Sequence, residues 1–324
     1  MTAISGMVRG AARGVREGAK AAGSPDATAG TRAPRGRGPR PATIARRVAL
    51  SLVAVVAALA WLFPVYWMVL SAFTPNALLR QVPPQFLPTD VTWSNFSAVL
   101  GSAGFANSLR MSLSITLVTV VVVLAFAFLA ALAISRFRFR GRKSFVLAVL
   151  FIQMLPAEGL FIAQYKMLSA AGATVPGVGL NSVLGVSVLY SAAIIPFTVW
   201  MLRGFVTGVP VDLEEAGMVD GLSRTGAFLR ITLPLLAPGL VASGVYAFLQ
   251  AWNEFTVALV TLPAESAQTL PLWLRGFLNA SVNRGVDWAQ VMAASTIIAI
   301  PVIFFFMLVQ GRMTSGLVSG AVKG

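Results

Sequence analysis

The chain has 324 residues, of which 57% are hydrophobic and 11% charged, and its mean hydropathy is +0.79. A soluble domain carries roughly 25% charged residues, so much of this chain is built for lipid. It has no Cys and no His, which excludes disulfides, thiolate metal sites and histidine acid–base chemistry, and its 11 carboxylates leave little for a carboxylate metal centre.

The net charge of +14 is uneven: residues 1–47 hold ten Lys/Arg and two acids. Such a tail raises the question of nucleic-acid binding. Its run from Thr31 to Ala42 is rich in Gly, Ala and Pro without interleaved aromatics, and it lacks the apolar surface needed to fold. It reads as a disordered basic cytoplasmic tail that touches anionic lipid rather than nucleic acid.

The first apolar run, Val48–Phe73, follows Arg46 and Arg47. It exceeds a signal-peptide core of roughly 7–15 residues and reads as a retained helix. Further runs lie at 109–134, 145–168, 183–202, 235–259 and 291–309. The sequence therefore predicts an all-α integral membrane protein with six transmembrane helices over residues 48–312 and a cytoplasmic tail over 313–324. Pro64, Pro156, Pro196, Pro238 and Pro301 fall within these runs; membrane helices tolerate proline because neighbours re-satisfy the freed carbonyls. With the N-terminus inside, the segments 1–47, 136–143, 203–230 and 310–324 carry 20 of the 25 basic residues. That is the positive-inside distribution, and its strongest anchor is Arg136, Arg138, Arg140, Arg142 and Lys143. The outer segments 74–105 and 262–289 read as short amphipathic elements, and the plainer reading of their Trp93, Phe96, Trp273, Phe277 and Trp288 is an interfacial aromatic belt.

Residues 209–234, VPVDLEEAGMVDGLSRTGAFLRITLP, are too charged for lipid and too long for a turn. Pro210 suits a first helical position. Asp212, Glu214 and Glu215 sit where a helix dipole favours carboxylates, and Gly221 is a natural stop. Ser223 caps a second short helix, Arg224–Ile231, expected to end at Pro234. Leu213, Ala216, Val219 and Leu222 form an apolar stripe on the first of the two helices.

This segment resembles the EAA loop of bacterial ABC importer permeases. The family pattern is matched by Glu215-Ala216-Gly217, then Gly221, Ile231 and Leu233-Pro234, with Asp220-Gly221-Leu222-Ser223 as in the carbohydrate branch. Gly217 departs from the second alanine of the pattern. Trp200–Pro210, Ala251–Phe255, Thr269–Leu274, Val286–Gln290 and Gly316–Gly324 are similar to the maltose-type permease subunit. The resemblance implies a type I importer fold in the bacterial inner membrane, both termini cytoplasmic, with 209–234 as the coupling segment between helices 4 and 5. It implies a second permease subunit, two cytoplasmic ABC ATPase subunits binding ATP and Mg, and an extracytoplasmic solute-binding protein. It assigns Glu214, Glu215, Ala216, Gly217, Asp220, Gly221, Ser223, Ile231, Leu233 and Pro234 to ATPase coupling. It also carries Gly316, Gly320 and Lys323 into a C-terminal tail that reaches the ATPase. The chain has no phosphate-loop motif and no Gly-Lys dipeptide, so no cofactor and no catalytic or metal-binding residue is expected in it.

Asn253 and Glu254 interrupt the fifth apolar run. A carboxylate at membrane depth faces a cavity or a partner; these two are candidates to line the pathway, form a gate, or make a structural hydrogen bond. Asn107 and Ser108 read as a cap for the second span. A self-sufficient secondary transporter or channel is the alternative, but the paired broken helices and repeats of such proteins are not evident.

The 20-to-5 split of basic residues predicts sidedness. A membrane-impermeant thiol reagent applied to intact cells should label cysteines introduced in 262–289 and miss those in 209–234. Labelling of the second group would reverse the topology.

Overall fold

The structure, a computed structural model, describes residues 41–155, 157–282 and 285–320; the basic tail up to residue 40 and Lys323 lie outside them. The chain divides into two compact units, 1–59 and 60–324. The described part of the first unit belongs to helix α1 (Pro41–Phe73), and Leu50, Leu52, Val53, Val55, Val56 and Leu59 are all exposed there, as a lipid-facing helix requires.

In the second unit every regular element among the described residues is a helix. After α1 come short α2 (Asn76–Leu79) and α3 (Ser94–Leu100), then α4 (Phe105–Arg136), α5 (Arg142–Gln153), α6 (Phe161–Thr174) and α7 (Val183–Gly208). They are followed by α8 (Asp212–Val219), α9 (Arg224–Ala227), α10 (Leu233–Trp252), α11 (Thr256–Thr261), α12 (Leu270–Val282) and α13 (Trp288–Gly320). Among the described residues, five helices are long and apolar enough to cross a membrane: Arg46–Phe73, Phe105–Arg136, Val183–Gly208, Arg224–Trp252 and Trp288–Gly311.

The expected third span, 145–168, is instead two shorter helices, α5 and α6, joined through a 3-10 turn at Ala157–Leu160. The interruption coincides with Pro156, which has no N–H to donate and disfavours helical backbone in the residue before it. The expected fifth span, 235–259, also differs. Its helix ends at Trp252 and resumes at Thr256 as α11.

α4, α7 and α10 form the centre. Ile115 and Val123 of α4, Tyr190 and Ile194 of α7, and Ala247 and Ala251 of α10 share one buried cluster. Towards the basic end, Ala127, Ala131 and Ile134 meet Val199, Leu202, Val206 and Leu236. Lipid is as apolar as a leucine side chain, so helices in a membrane associate through close packing of small residues and interhelical hydrogen bonds. Both are present: Ser187 donates to the Ile115 carbonyl at 3.3 Å, and Trp252 donates to the Ile298 carbonyl of α13 at 3.3 Å.

At the other end, α3 and α12 pack onto the core instead of lying as an aromatic belt. Trp273 is 6% exposed, donates to the Ala103 carbonyl at 3.1 Å, and meets Phe105 edge-on at 5.0 Å. Trp93 and Trp288 remain exposed. Asn107 lies inside α4 rather than at its cap and donates to the Ser266 carbonyl.

At Gly239 α10 packs tightly against α7: a Cβ there would fall 2.5 Å from Cγ and 2.8 Å from Cβ of Phe205. Overpacking of this kind costs about 1–3 kcal/mol. Gly239→Val should lower the thermal unfolding midpoint of the purified chain in detergent by several degrees. Gly204→Val on α7, where a Cβ meets nothing within 4 Å, should leave it unchanged.

Candidate functional site

The segment between α7 and α10 is held from both sides. Val209, which follows α7, offers its carbonyl to Arg136 at the end of α4 (3.2 Å). The same guanidinium pairs with Glu214 of α8 at 3.3 Å, and Glu214 accepts a hydrogen bond of 2.7 Å from the hydroxyl of Thr232. Thr232 is fully buried, and the two charged side chains are about one-sixth exposed. One carboxylate thus ties α4, α7, α8 and the entry to α10 together. A charge-assisted bond is roughly twice as strong as a neutral one, and here it is shielded from most of the solvent.

α8 begins with Asp212, Glu214 and Glu215 in its first turn, where the unsatisfied amides favour carboxylates. It ends in a Schellman motif: Leu222 N–H donates to the Gly217 carbonyl at 3.0 Å and Gly221 N–H to the Met218 carbonyl at 3.1 Å. Gly221 has φ +93°, a conformation that only glycine adopts without strain. Ser223 then caps the next helix by accepting from Gly226 N–H at 3.1 Å.

Gly217 is buried. A Cβ on it would lie 2.5 Å from Cδ1 of Ile231 and 3.6 Å from Cβ of Ala227. Its departure from the alanine pattern therefore has a packing reason: Ile231 occupies that space.

The second helix does not stop at Pro234. Residues 228–232 adopt a π-helical turn, and Leu233 N–H reaches the Phe228 carbonyl five residues back. Pro234 has no N–H, and its ring would press on the carbonyl four residues earlier in a regular α-helix. The wider turn adjoining it carries the chain into α10, and Arg224–Trp252 runs as one membrane-length helix.

The outer face of α8 differs from its inner face. Glu215, Asp212 and Asp220 are exposed, as are Val211, Leu213, Met218 and Val219, with Val219 at 87%. Glu214 points inward and Glu215 outward, although they are neighbours in sequence. Among the described residues no ion pair reaches Glu215.

At the far end of α10, Asn253 turns its amide back to the Leu249 carbonyl at 2.9 Å. The carboxylate of Glu254 accepts from Val257 N–H at 2.7 Å and Ala258 N–H at 3.0 Å. Glu254 thus satisfies the first amides of α11, and this pair is the local reason the helix breaks. The structure does not bring 253–254 together with the α8 segment. Gly316 and Gly320 lie in the last turns of α13.

Arg136 and Thr232 were not singled out by sequence for this site. Arg136 stood among five basic residues with an adequate topological explanation. Thr232 sits between Ile231 and Leu233 with nothing to mark its hydroxyl as a partner for Glu214.

Comparison with known proteins gives one family match, described as "Binding-protein-dependent transport system inner membrane component", over residues 123–318. The chain is 40% identical to the diacetylchitobiose uptake system permease protein DasC of Streptomyces coelicolor, over 86% of this chain and 98% of that one. It is 31% identical to the trehalose/maltose transport system permease protein MalG of Thermococcus litoralis, over 87% and 98%. It is also 31% identical to the trehalose transport system permease protein SugB of Mycobacterium tuberculosis, over 81% and 93%. Among solved structures, a chain of a bacterial ABC transporter involved in the import of the acidic polysaccharide alginate shares the fold, with a TM-score of 0.68 and 22% identity over 85% of this chain and 98% of that one.

The Arg136–Glu214 bond should be measurable as a coupling energy. In a double-mutant cycle of Arg136→Gln and Glu214→Gln, followed by unfolding of the purified chain, we expect a coupling of about 1.5–3 kcal/mol, the range for hydrogen bonds to charged groups. Additivity within about 0.5 kcal/mol would show that the pair carries no stability.

Proposed function

Because the chain belongs to the family of binding-protein-dependent transport system inner membrane components, we propose that it is one of two permease subunits of an ATP-binding-cassette importer for a sugar or related solute. The solute class rests on relatives named for diacetylchitobiose, trehalose and maltose. In this reading the chain lines half of the translocation pathway in the bacterial inner membrane, with both termini cytoplasmic. A second permease supplies the other half, two ATPase subunits bind ATP and Mg, and an extracytoplasmic protein delivers the solute. The chain itself is not catalytic. The sixth crossing is made by α5 and α6 in series, of 12 and 14 residues respectively.

The observation that carries this reading is the two-faced construction of α8. Its inner face is fixed to α4 and to the base of α10 through Glu214, Arg136 and Thr232. Its outer face presents Glu215 beside Leu213, Met218 and Val219, a charged spot bordered by apolar knobs and fit for a cleft in the ATPase. Ala216 and Asp220 complete that surface. Gly217, Gly221, Ser223, Ile231, Leu233 and Pro234 set the turn and the helix that follow. A push on α8 then moves α4 and α10 together and changes the pathway between the two permeases. In this reading the C-terminal tail that carries Gly316, Gly320 and Lys323 reaches the same ATPase dimer. Glu254 keeps the break between α10 and α11 at a fixed place in this pathway, and Asn253 stands beside it. The channel alternative has no support in the comparisons.

The reconstituted importer gives the test. Glu215→Lys reverses the exposed charge, and Gly221→Pro cannot adopt φ +93° because proline holds φ near about −65°. Each should reduce solute-stimulated ATP hydrolysis to the unstimulated rate while the chain still inserts. Glu17→Lys, in the N-terminal tail, should change nothing. Full stimulation in Glu215→Lys would mean that α8 is not the coupling helix.

A further inference from the structure

Two faces of α10 are occupied inside the chain. Phe248 and Trp252 turn to α13, where Phe248 stacks on Phe305 at 4.2 Å and Trp252 reaches the Ile298 carbonyl. Ala247 and Ala251 belong to the cluster shared with α4 and α7. Tyr246, Gln250 and Asn253 lie on a third face, where Gln250 and Asn253 are exposed and Tyr246 is half-buried. Spaced four and three residues apart, they form one line along the helix, about 10 Å long at 1.5 Å per residue.

α7 continues that line. The ring of Phe197 lies 4.7 Å from that of Tyr246 and 5.9 Å from that of Trp200, and Trp200 is 52% exposed. The five side chains make one surface, with two amides at its outer end and three aromatic rings at its inner end.

This surface is polar where lipid would favour an apolar one. Gln250 lies within the membrane-length helix Arg224–Trp252, and a polar side chain at such depth belongs against a partner or a water-filled cavity. Gln250 interacts with Tyr246 one turn away. Asn253 gives an N–H to the Leu249 carbonyl, which leaves its own side-chain carbonyl for another donor. None of the five side chains is charged, and the nearby carboxylate of Glu254 is taken up by two amides of α11. The surface therefore suits a neutral molecule with hydroxyls for the amides and flat C–H faces for the rings, the mixture of aromatic lining and few orienting polar groups that small-molecule sites use. A pyranose has both.

We propose that the line from Asn253 through Gln250, Tyr246 and Phe197 to Trp200 is a contact track for a neutral saccharide. The amides bond its hydroxyls as it enters, and the rings of Tyr246 and Trp200 stack on its C–H faces further in. The proposal rests on the reading of this chain as half of a sugar pathway, and it places solute contacts on this subunit itself.

The chain has no Cys, so Gln250→Cys gives it a single thiol. The test uses the complete importer in liposomes, with whichever of diacetylchitobiose, trehalose or maltose the wild-type complex imports as the probe. A hydrophilic methanethiosulfonate should label Gln250→Cys, read by mass spectrometry of this chain, and should miss Leu59→Cys on the exposed apolar face of α1. Binding protein, ATP and the probe sugar together should slow labelling of Gln250→Cys at least about fivefold by occupancy; binding protein and ATP without sugar should not. Tyr246→Leu and Trp200→Leu should each lower sugar imported per ATP hydrolysed about tenfold, whereas Tyr246→Phe and Trp200→Phe, which keep a ring, should retain most of it. Resistance of Gln250→Cys to labelling would assign the face to lipid, and loss of the second permease on purification of Gln250→Leu would assign it to the subunit contact; either overturns the track, as does labelling that sugar fails to slow. Unchanged import in Tyr246→Leu and Trp200→Leu would overturn the track alone and leave the sugar-importer reading standing. Import of none of the three sugars by the wild-type complex would remove both.

Discussion

A chain in lipid has no water to satisfy an open backbone group, and each unsatisfied N–H or C=O costs several kcal/mol. The architecture depends on how this chain meets that demand where its helices cannot continue. At Asn253–Phe255 the answer is side-chain chemistry: the amide of Asn253 returns to the Leu249 carbonyl and the carboxylate of Glu254 takes two amides of α11. At Pro234 the answer is geometric, since a π-turn at 228–232 absorbs the proline without breaking the helix. Helix ends beyond the apolar region use Ser182, which accepts from Gly185 N–H at 3.1 Å, and Ser223, which does the same for Gly226. Each interruption is thus self-contained, and α4, α7 and α10 can pack as long rods around it.

The same economy explains the split between Glu214 and Glu215. Adjacent residues on a helix point roughly 100° apart, so a pair of carboxylates in one first turn can serve two directions. One is fixed inward by Arg136 and Thr232; the other is left to solvent or a partner. A single acidic residue could not both anchor the helix and present a charge. The dipole at the N-terminus of α8 favours both, which offsets the repulsion between them.

Hydropathy and local helix signals made much of this legible. The long helices α1, α4, α7 and α13 follow from apolar runs whose boundaries are set by arginines or polar turns. The end of α8 at Gly221 and the cap at Ser223 follow from residue types with one physical use. The split at Pro156 and the break at Asn253 were less legible, because prolines and polar residues occur inside intact membrane helices as well: Pro64, Pro196, Pro238 and Pro301 all lie within helices here. Hydropathy alone cannot tell a tolerated proline from one that divides a span. Nor could periodicity decide that Trp273 belongs to the core, since that depends on the distant Ala103 carbonyl and Phe105 ring. The tie from Arg136 to Glu214 joins residues 78 positions apart by their numbers, and no local pattern announces it.

The helix from Arg224 to Trp252 holds 29 residues, roughly 44 Å at 1.5 Å per residue. A continuous helix of that length can transmit a displacement from one end to the other as a beam does. A π-turn lies near its base, at 228–232, ending at the residue that bonds Glu214. In the coupling proposed above, displacement of α8 would arrive at this base, through Thr232. The beam would then swing as a whole about its base, and a small angular change there would be magnified along its length. A tilt of about 5° over that length moves the far end by roughly 4 Å, comparable to the diameter of a water molecule plus its clearance, without any loop having to reorder.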